Sequence, residues 1–307
     1  METRHQTSPL VTDSVLEALA PNLAQLKQFS LTGCLRVTHR GVWAVLSANT
    51  AGGLRVLALE GLAAKFLRPH TPTPSDLAAL SAHCADTVLA RLQSFTLSVH
   101  STAWLASTAA LLAHAPSLEI VQLYAADPLA FAPNAATAAI MDAFWRDLVT
   151  THGKRLTRVS VHRMAISLRA IEDVCVRCTA LRQLYVVVDP TALGALANCL
   201  SRARVLSAVH INFPTISVAA DDDDDDNEWL DDDDHDREEV PVVLKAPEAL
   251  AIVRRCPDTI SLFGCNARVW QVEREVRRND AGELVVERYL AGYESPDVPE
   301  QFLVVRT

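Results

Sequence analysis

Leu26-Lys27-Gln28-Phe29-Ser30-Leu31 reads L-x-x-φ-x-φ, where φ is an apolar residue. The phrase returns at Leu54, Leu57 and Leu59, at Leu92, Phe95 and Leu97, and at Leu118, Val121 and Leu123. It returns again at Leu156, Val159 and Val161, at Leu181, Leu184 and Val186, and at Leu206, Val209 and Ile211. A looser eighth copy is Ile260, Phe263 and Cys265. Successive side chains of a strand point to opposite faces, so two φ positions two apart describe a short strand with one face buried.

Such recurrence is the strand signature of a leucine-rich repeat. The copies begin at 26, 54, 92, 118, 156, 181, 206 and 260, in steps of 28, 38, 26, 38, 25, 25 and 54. Repeats of this kind have a period of about 20–29 residues. Four steps fit directly. The two 38-residue steps contain the proline-punctuated stretches RPHTPTP (68–74) and DPLAFAPN (127–134). The longest step contains an acidic run, and removing 217–246 brings it to about 24, an ordinary repeat. The run therefore reads as a disordered insert within a repeat.

Between strands the apolar period lengthens to that of a helix. Asp76 to Leu92 places Leu77, Leu80, Cys84, Val88 and Leu92 near one face, and Ala138 to Val149 gathers Ile140, Met141, Phe144, Trp145 and Leu148. Leu168 to Cys178 and Pro247 to Cys256 behave alike, the latter with proline at its first turn. The stretch 92–118, free of Asp, Glu, Lys and Arg, reads as a strand followed by a helix and not as a membrane span. A strand–helix unit cannot bury its apolar side alone, and stacking buries it on its neighbours. The expected fold is an α/β leucine-rich-repeat solenoid, a horseshoe of about eight strand–helix repeats.

Three segments follow. Residues 1–25 hold a helix at Asp13 to Leu19, the remnant of a truncated repeat; residues 26–268 are the solenoid. Residues 269–307 are a β-rich cap, with strands at Val269–Val276 and Leu284–Leu290 around the turn Asn279-Asp280-Ala281-Gly282 and a further apolar run at Phe302–Val305. Its expected role is to close the open end of the stack.

Composition narrows the function. Half of the residues are hydrophobic, ample for a core. The net charge of -9 is local: residues 221–239 hold 14 acidic residues and one basic one, and the rest of the chain is net +4. No dense Lys/Arg stripe points to nucleic acid. The polar opening METRHQTSPL is no signal peptide, and the seven cysteines are irregularly spaced. Both favour an intracellular, reducing location, cytoplasmic or nuclear.

Chemical motifs are few. Cys175 and Cys178 form a C-x-x-C on a helix without a second pair at zinc spacing, so buried thiols are the better reading. The Asp run has no glycine for a calcium loop. It reads as a solvated loop or, through Trp229 and Leu230, as an interaction motif. Nucleophile-elbow, zincin, P-loop and dinucleotide motifs are missing. The expectation is a non-enzymatic protein with no catalytic residue, metal or cofactor.

Residues between the φ positions line the other face of the sheet. In the first three repeats they are small; from the fourth they include Gln122, Tyr124, Arg158, His162, Tyr185 and His210. Tyr and Arg combine large contact area with directional polar groups and recur at interface hot spots. These six are the candidate partner-binding residues.

The phrase ending in Cys34 resembles the cysteine-containing, ribonuclease-inhibitor-like repeat. With helical linkers of this length and the tail FGCNARVWQVEREV…YLAGYESPDVPEQFLVVRT, residues 14–307 resemble the repeat region of fungal F-box/leucine-rich-repeat proteins. The resemblance implies substrate recognition for ubiquitination, with an F-box holding the ligase scaffold. The 25 residues before the first strand are too few for an F-box, so that scaffold is a partner only of a longer form. The positions equivalent to Cys34 are Leu62, His100, Ala126, Met164, Asp189, Pro214 and Arg268, a departure from the family's Asn or Cys. The alternative is a stand-alone scaffold or inhibitor acting through the acidic loop. Either way the expected partner is protein, not nucleic acid or membrane.

Overall fold

The computed structural model describes residues 10–49, 53–67, 88–131, 134–214 and 243–293. Each quoted phrase becomes a strand: β1 (Gln28–Thr32), β2 (Val56–Glu60), β3 (Ser94–Val99), β4 (Ile120–Ala125), β5 (Arg158–His162), β6 (Gln183–Val187), β7 (Ala208–Asn212) and β8 (Leu262–Cys265). They lie side by side in chain order, all parallel, in one sheet. Then β9 (Arg268–Arg278) and β10 (Leu284–Gly292) extend the sheet antiparallel. The sheet is open, and the architecture is the expected horseshoe-type α/β solenoid with a β-rich cap.

Register explains the repeat. One φ position forms an unbroken row across the sheet: Phe29, Leu57, Phe95, Val121, Val159, Leu184, Val209, Phe263 and Trp270. From Leu57 to Phe263 each is at most 1% exposed. The leading Leu54, Leu92, Leu118, Leu156, Leu181, Leu206 and Ile260 are fully buried as well. Just past each leading residue, two successive backbone N–H groups donate to one carbonyl of the previous repeat. Gln93 and Ser94 share Arg55, Glu119 and Ile120 share Gln93, and Ser261 and Leu262 share Ser207. Each unit is thus registered on the last by backbone as well as by side chains.

Among the described residues the helices are α1 (Asp13–Leu19), α2 (His39–Ala48), α3 (Thr102–Leu112), α4 (Ala135–His152), α5 (Leu168–Arg177), α6 (Leu193–Leu200) and α7 (Ala246–Val253). The expected helices at 138–149, 168–178 and 247–256 correspond to α4, α5 and α7, and the expected one at 13–19 to α1. Most of the expected helix at 76–92, the stretch 68–74, residues 217–242 of the acidic insert and the run at 302–305 lie outside the described residues. The described end of that helix, 88–92, forms turns, and the insert stops short of its expected end at 246, since Leu244 is buried in the core and Ala246 opens α7. Helix neighbours in the stack touch, α1 on α2 and α3 through α7 in sequence. Their apolar sides meet the φ rows: Ile171, Val174 and Cys175 of α5 are in the core, as are Phe144, Trp145 and Leu148 of α4.

Capping sets the helix starts. Asn134 and Ser167 accept from the N–H groups of Thr137 and Ala170 at the beginnings of α4 and α5. At α2 the cap is reinforced from outside. Asp13 of α1 accepts from the Thr38 N–H and hydroxyl at 2.8 and 2.6 Å and from the Gly41 N–H at 3.1 Å. A carboxylate at a helix N-terminus satisfies orphan donors and complements the helix dipole. A Cβ on Gly41 would stand 2.6 Å from the Asp13 carboxylate, so this close docking of α1 needs glycine.

The cap begins where the eighth repeat ends. Asn266 takes a left-handed φ of 49°, and the chain reverses into β9 rather than entering a helix. Trp270 stacks obliquely beside Phe263 at 6.1 Å, continuing the apolar row into the antiparallel strand. Both hairpin strands are longer than their apolar runs, and Gly282 closes the turn at φ 81°.

Candidate functional site

With the φ residues facing the helices, the intervening positions face the opposite way, called here the inner face. No helix among the described residues packs on it. Its central row is Ser30, Ala58, Thr96, Gln122, Ser160, Tyr185, His210 and Gly264, hydrogen-bonded strand to strand. A second row holds Ser98, Tyr124 and His162. A third places Arg158 between Ile120 and Gln183. All six sequence-derived candidates therefore share one face and adjacent strands.

They differ in exposure. Gln122, Tyr124 and Arg158 are half-buried. His162, Tyr185 and His210 are at most 5% exposed, and Ser160 is fully buried. Strand alternation alone makes the whole row one binding surface and does not divide it by depth. In the structure, β5 to β7 are buried on both faces, while β1, β2 and β4 alternate.

The rings form a stack. Tyr124 lies on His162 with centroids 4.5 Å apart and planes 9° apart. His162 faces Tyr185 at 6.4 Å, and Tyr185 faces His210 at 6.2 Å. The guanidinium of Arg158 sits over the Tyr185 ring, 5.1 Å from its centroid, a cation–π arrangement. Each ring shields the next, and the strand spacing of about 4.8 Å makes such a ladder possible wherever aromatic residues occupy neighbouring register positions. The signal was present in the sequence: aligning the phrases puts Ser160, Tyr185 and His210 in one column and Tyr124 and His162 in another.

Polar contacts tie the face together. Arg158 Nη2 donates to Gln122 Oε1 at 2.9 Å, and Gln122 Nε2 donates to Thr96 Oγ1 at 3.2 Å. Ser160 Oγ and His162 Nε2 are 2.6 Å apart. His210 Nε2 meets Asn212 Oδ1 at 3.1 Å. Burial holds both imidazoles neutral: it pulls His162 and His210 down to about 4, and repulsion from Arg158 and, on protonation, from His210 adds to the effect at His162. Burial also lifts the phenols of Tyr124 and Tyr185 to about 12, with Glu60 adding to the rise at Tyr124.

A buried Ser–His contact invites a nucleophile reading, but the rest of such a site is not at hand. Ser160 is shut off from solvent, and His162 Nδ1, where a triad carboxylate would sit, has no hydrogen-bond partner among the described residues. The pair reads as an internal hydrogen bond of the sheet. Among the described residues no group of three or more His, Cys, Asp or Glu could hold a metal. Cys175 and Cys178 are buried free thiols, both pushed well above the ordinary thiol range chiefly by desolvation. No helix among the described residues is long and apolar enough to cross a membrane.

Fold and face together define an open α/β repeat solenoid with a polar-aromatic inner surface. The chain matches no protein-family model, and no curated protein is recognisably similar to it.

Proposed function

We propose that this chain is a non-enzymatic protein-binding solenoid that offers the inner face of its sheet to a client. The observation that supports this reading is the one-sided use of the sheet. Eight parallel strands send their φ residues toward the helices, and the described helices leave the other face without a helical layer. On that face Gln122, Tyr124 and Arg158 reach solvent, backed by the buried rings of His162, Tyr185 and His210. A repeat stack whose described helices leave free a face carrying half-buried Tyr124 and Arg158 suits recognition of extended protein surface.

The more specific form of the reading is substrate recognition in the manner of F-box/leucine-rich-repeat proteins, in which a ligase scaffold is engaged through an F-box. A second reading is favoured by the segregation of charge: 14 acidic residues within 221–239 in a chain otherwise net positive. In that reading the chain is a stand-alone scaffold or inhibitor whose contact is the acidic run. Cross-linking mass spectrometry on the tagged full chain separates them. Client cross-links to strands β4–β6, with co-capture of a ubiquitin-ligase scaffold by a longer transcript, support the first. Cross-links confined to residues 217–246 favour the second. Cross-links confined to the outer faces of the helices would sink both.

A further inference from the structure

Arg158 is the one Lys or Arg among the described inner-face positions of β1 to β8. It is half-buried, and it takes part in no ion pair among the described residues. Among the described residues its one side-chain hydrogen bond is from Nη2 to Gln122, and its Nε is buried without an acceptor there. A guanidinium drawn out of water usually gains a carboxylate or several acceptors in return, because partly desolvated charge is costly when unpaired. The side chain is nevertheless held in place. Tyr185 supports it from below at 5.1 Å, and the Gln122 amide, itself anchored to Thr96, fixes one edge. The result is a preorganised cation with donors unspent.

We propose that Arg158 is the seat for a carboxylate of a bound protein segment, so that the client is acidic where it meets β5. The inference rests on the reading of the inner face as the binding surface and adds the chemistry of its partner. A guanidinium forks onto a carboxylate through two N–H groups, which a lysine cannot do. The flanking Ile120 and Gln183 give the segment one apolar and one amide neighbour to lie against. A nucleic acid would need several cations along its phosphates, and this face supplies one. Tyr124, the neighbouring half-exposed ring, adds contact area beside the charge.

The test uses the full chain and two fluorescein-labelled probes: a short peptide alternating Glu with Leu, and its Gln counterpart. Anisotropy at low salt should show the Glu peptide binding roughly tenfold or more tightly, as charge-assisted hydrogen bonds predict. Arg158→Gln should erase that preference, and Arg158→Lys, which keeps the charge but loses the fork, should retain only part of it. Arg169→Gln removes the same charge from an exposed site on α5 and should change nothing. The proposal is overturned if the unmodified chain shows no preference, if Arg158→Gln binds the Glu peptide normally, or if Arg169→Gln loses as much. It is overturned also if Arg158-dependent binding emerges only after deletion of residues 221–239, which would assign the seat to the chain's own acidic run. In the cross-linking experiment, a client that still cross-links to β4–β6 in Arg158→Gln leaves the binding surface standing and removes only the seat. Loss of all inner-face cross-links in the unmodified chain removes the surface itself.

Discussion

His210 lies so close against Gly264 that a Cβ on the glycine would stand 2.3 Å from Nδ1 of the imidazole. The two residues are register partners on β7 and β8, so the ring of one occupies the space where the other's side chain would be. Gly264 is thus the terminus of the aromatic stack. Gly264→Ala should destabilise by about 1–3 kcal/mol, the cost of overpacking a closed site, because a 2%-exposed ring has little room to retreat. Gly194 in α6 is the contrast, since an added Cβ there meets nothing within 4 Å. Gly194→Ala should stabilise by up to about 1 kcal/mol through helix propensity. Urea melts of both variants check this, and shifts of the same sign would refute it.

Leu184 of β6 tests the opposite, helix-facing side of the sheet. It is fully buried between its register partners Val159 and Val209, deep in the φ row. Leu184→Ala should cost about 2–5 kcal/mol, the range for emptying a packed site. Tyr124→Ala, at a half-buried inner-face position, should cost clearly less. Chemical denaturation of the two side by side decides it, and equal losses would mean that the inner face is as much core as the helical one.

How much of this was legible in the sequence follows from what each force depends on. The φ rows were, because burial by helices has a period of two that survives any choice of Leu, Val, Ile, Phe or Cys. The hairpin was, because β-rich runs flank an Asn-Asp-Ala-Gly turn. Helix α2 was not singled out: Gly41 interrupts its pattern, and its start is set by Asp13, 25 residues before the Thr38 cap. The placement of the six candidates on one face was legible from alternation alone. Their division into half-exposed Gln122, Tyr124 and Arg158 and buried His162, Tyr185 and His210 was not. That depends on rings stacking across strands far apart in sequence, which no local period records.

Arginines of both hairpin strands fasten the cap, Arg274 of β9 donating to the carbonyls of Asp258 and Ile260. Arg288 of β10 donates through Nη1 to the carbonyls of Val253 and Cys256, both at 2.8 Å, and pairs through Nη2 with Asp258. Val253 is the last residue of α7, where the helix leaves acceptors unsatisfied and its dipole favours a cation, and Cys256 lies three residues beyond it. Arg288→Ala should cost about 2–3 kcal/mol, since it orphans more than one partly buried acceptor. The loss should concentrate in the cap. Hydrogen exchange should quicken along β9 and β10 before it quickens in β4–β6, and uniform quickening would count against a separately anchored cap.

The paired histidines make stability depend on pH in a defined direction. His162 and His210 are held down to about 4 by burial, against 6.5 for the free imidazole. Between those values the unfolded chain binds protons at both rings and the folded chain does not. Stability therefore rises with pH through the window: it is complete above about 6.5 and lost progressively as pH falls toward 4. His152, lowered chiefly by burial as well, acts in the same sense. Each of the two stack histidines should remove roughly 2 kcal/mol between pH 7.5 and 5, taking 1.36 kcal/mol per unit. This range lies above ordinary carboxylate titration, so the imidazoles dominate it. Urea unfolding at half-unit pH steps gives the slope, and His162→Gln should reduce it by roughly a third to a half. If His162→Gln leaves the slope unchanged, the ring already accepts a proton in the folded protein. The stack would then open in solution, and the rigid support beneath Arg158 would be lost with it.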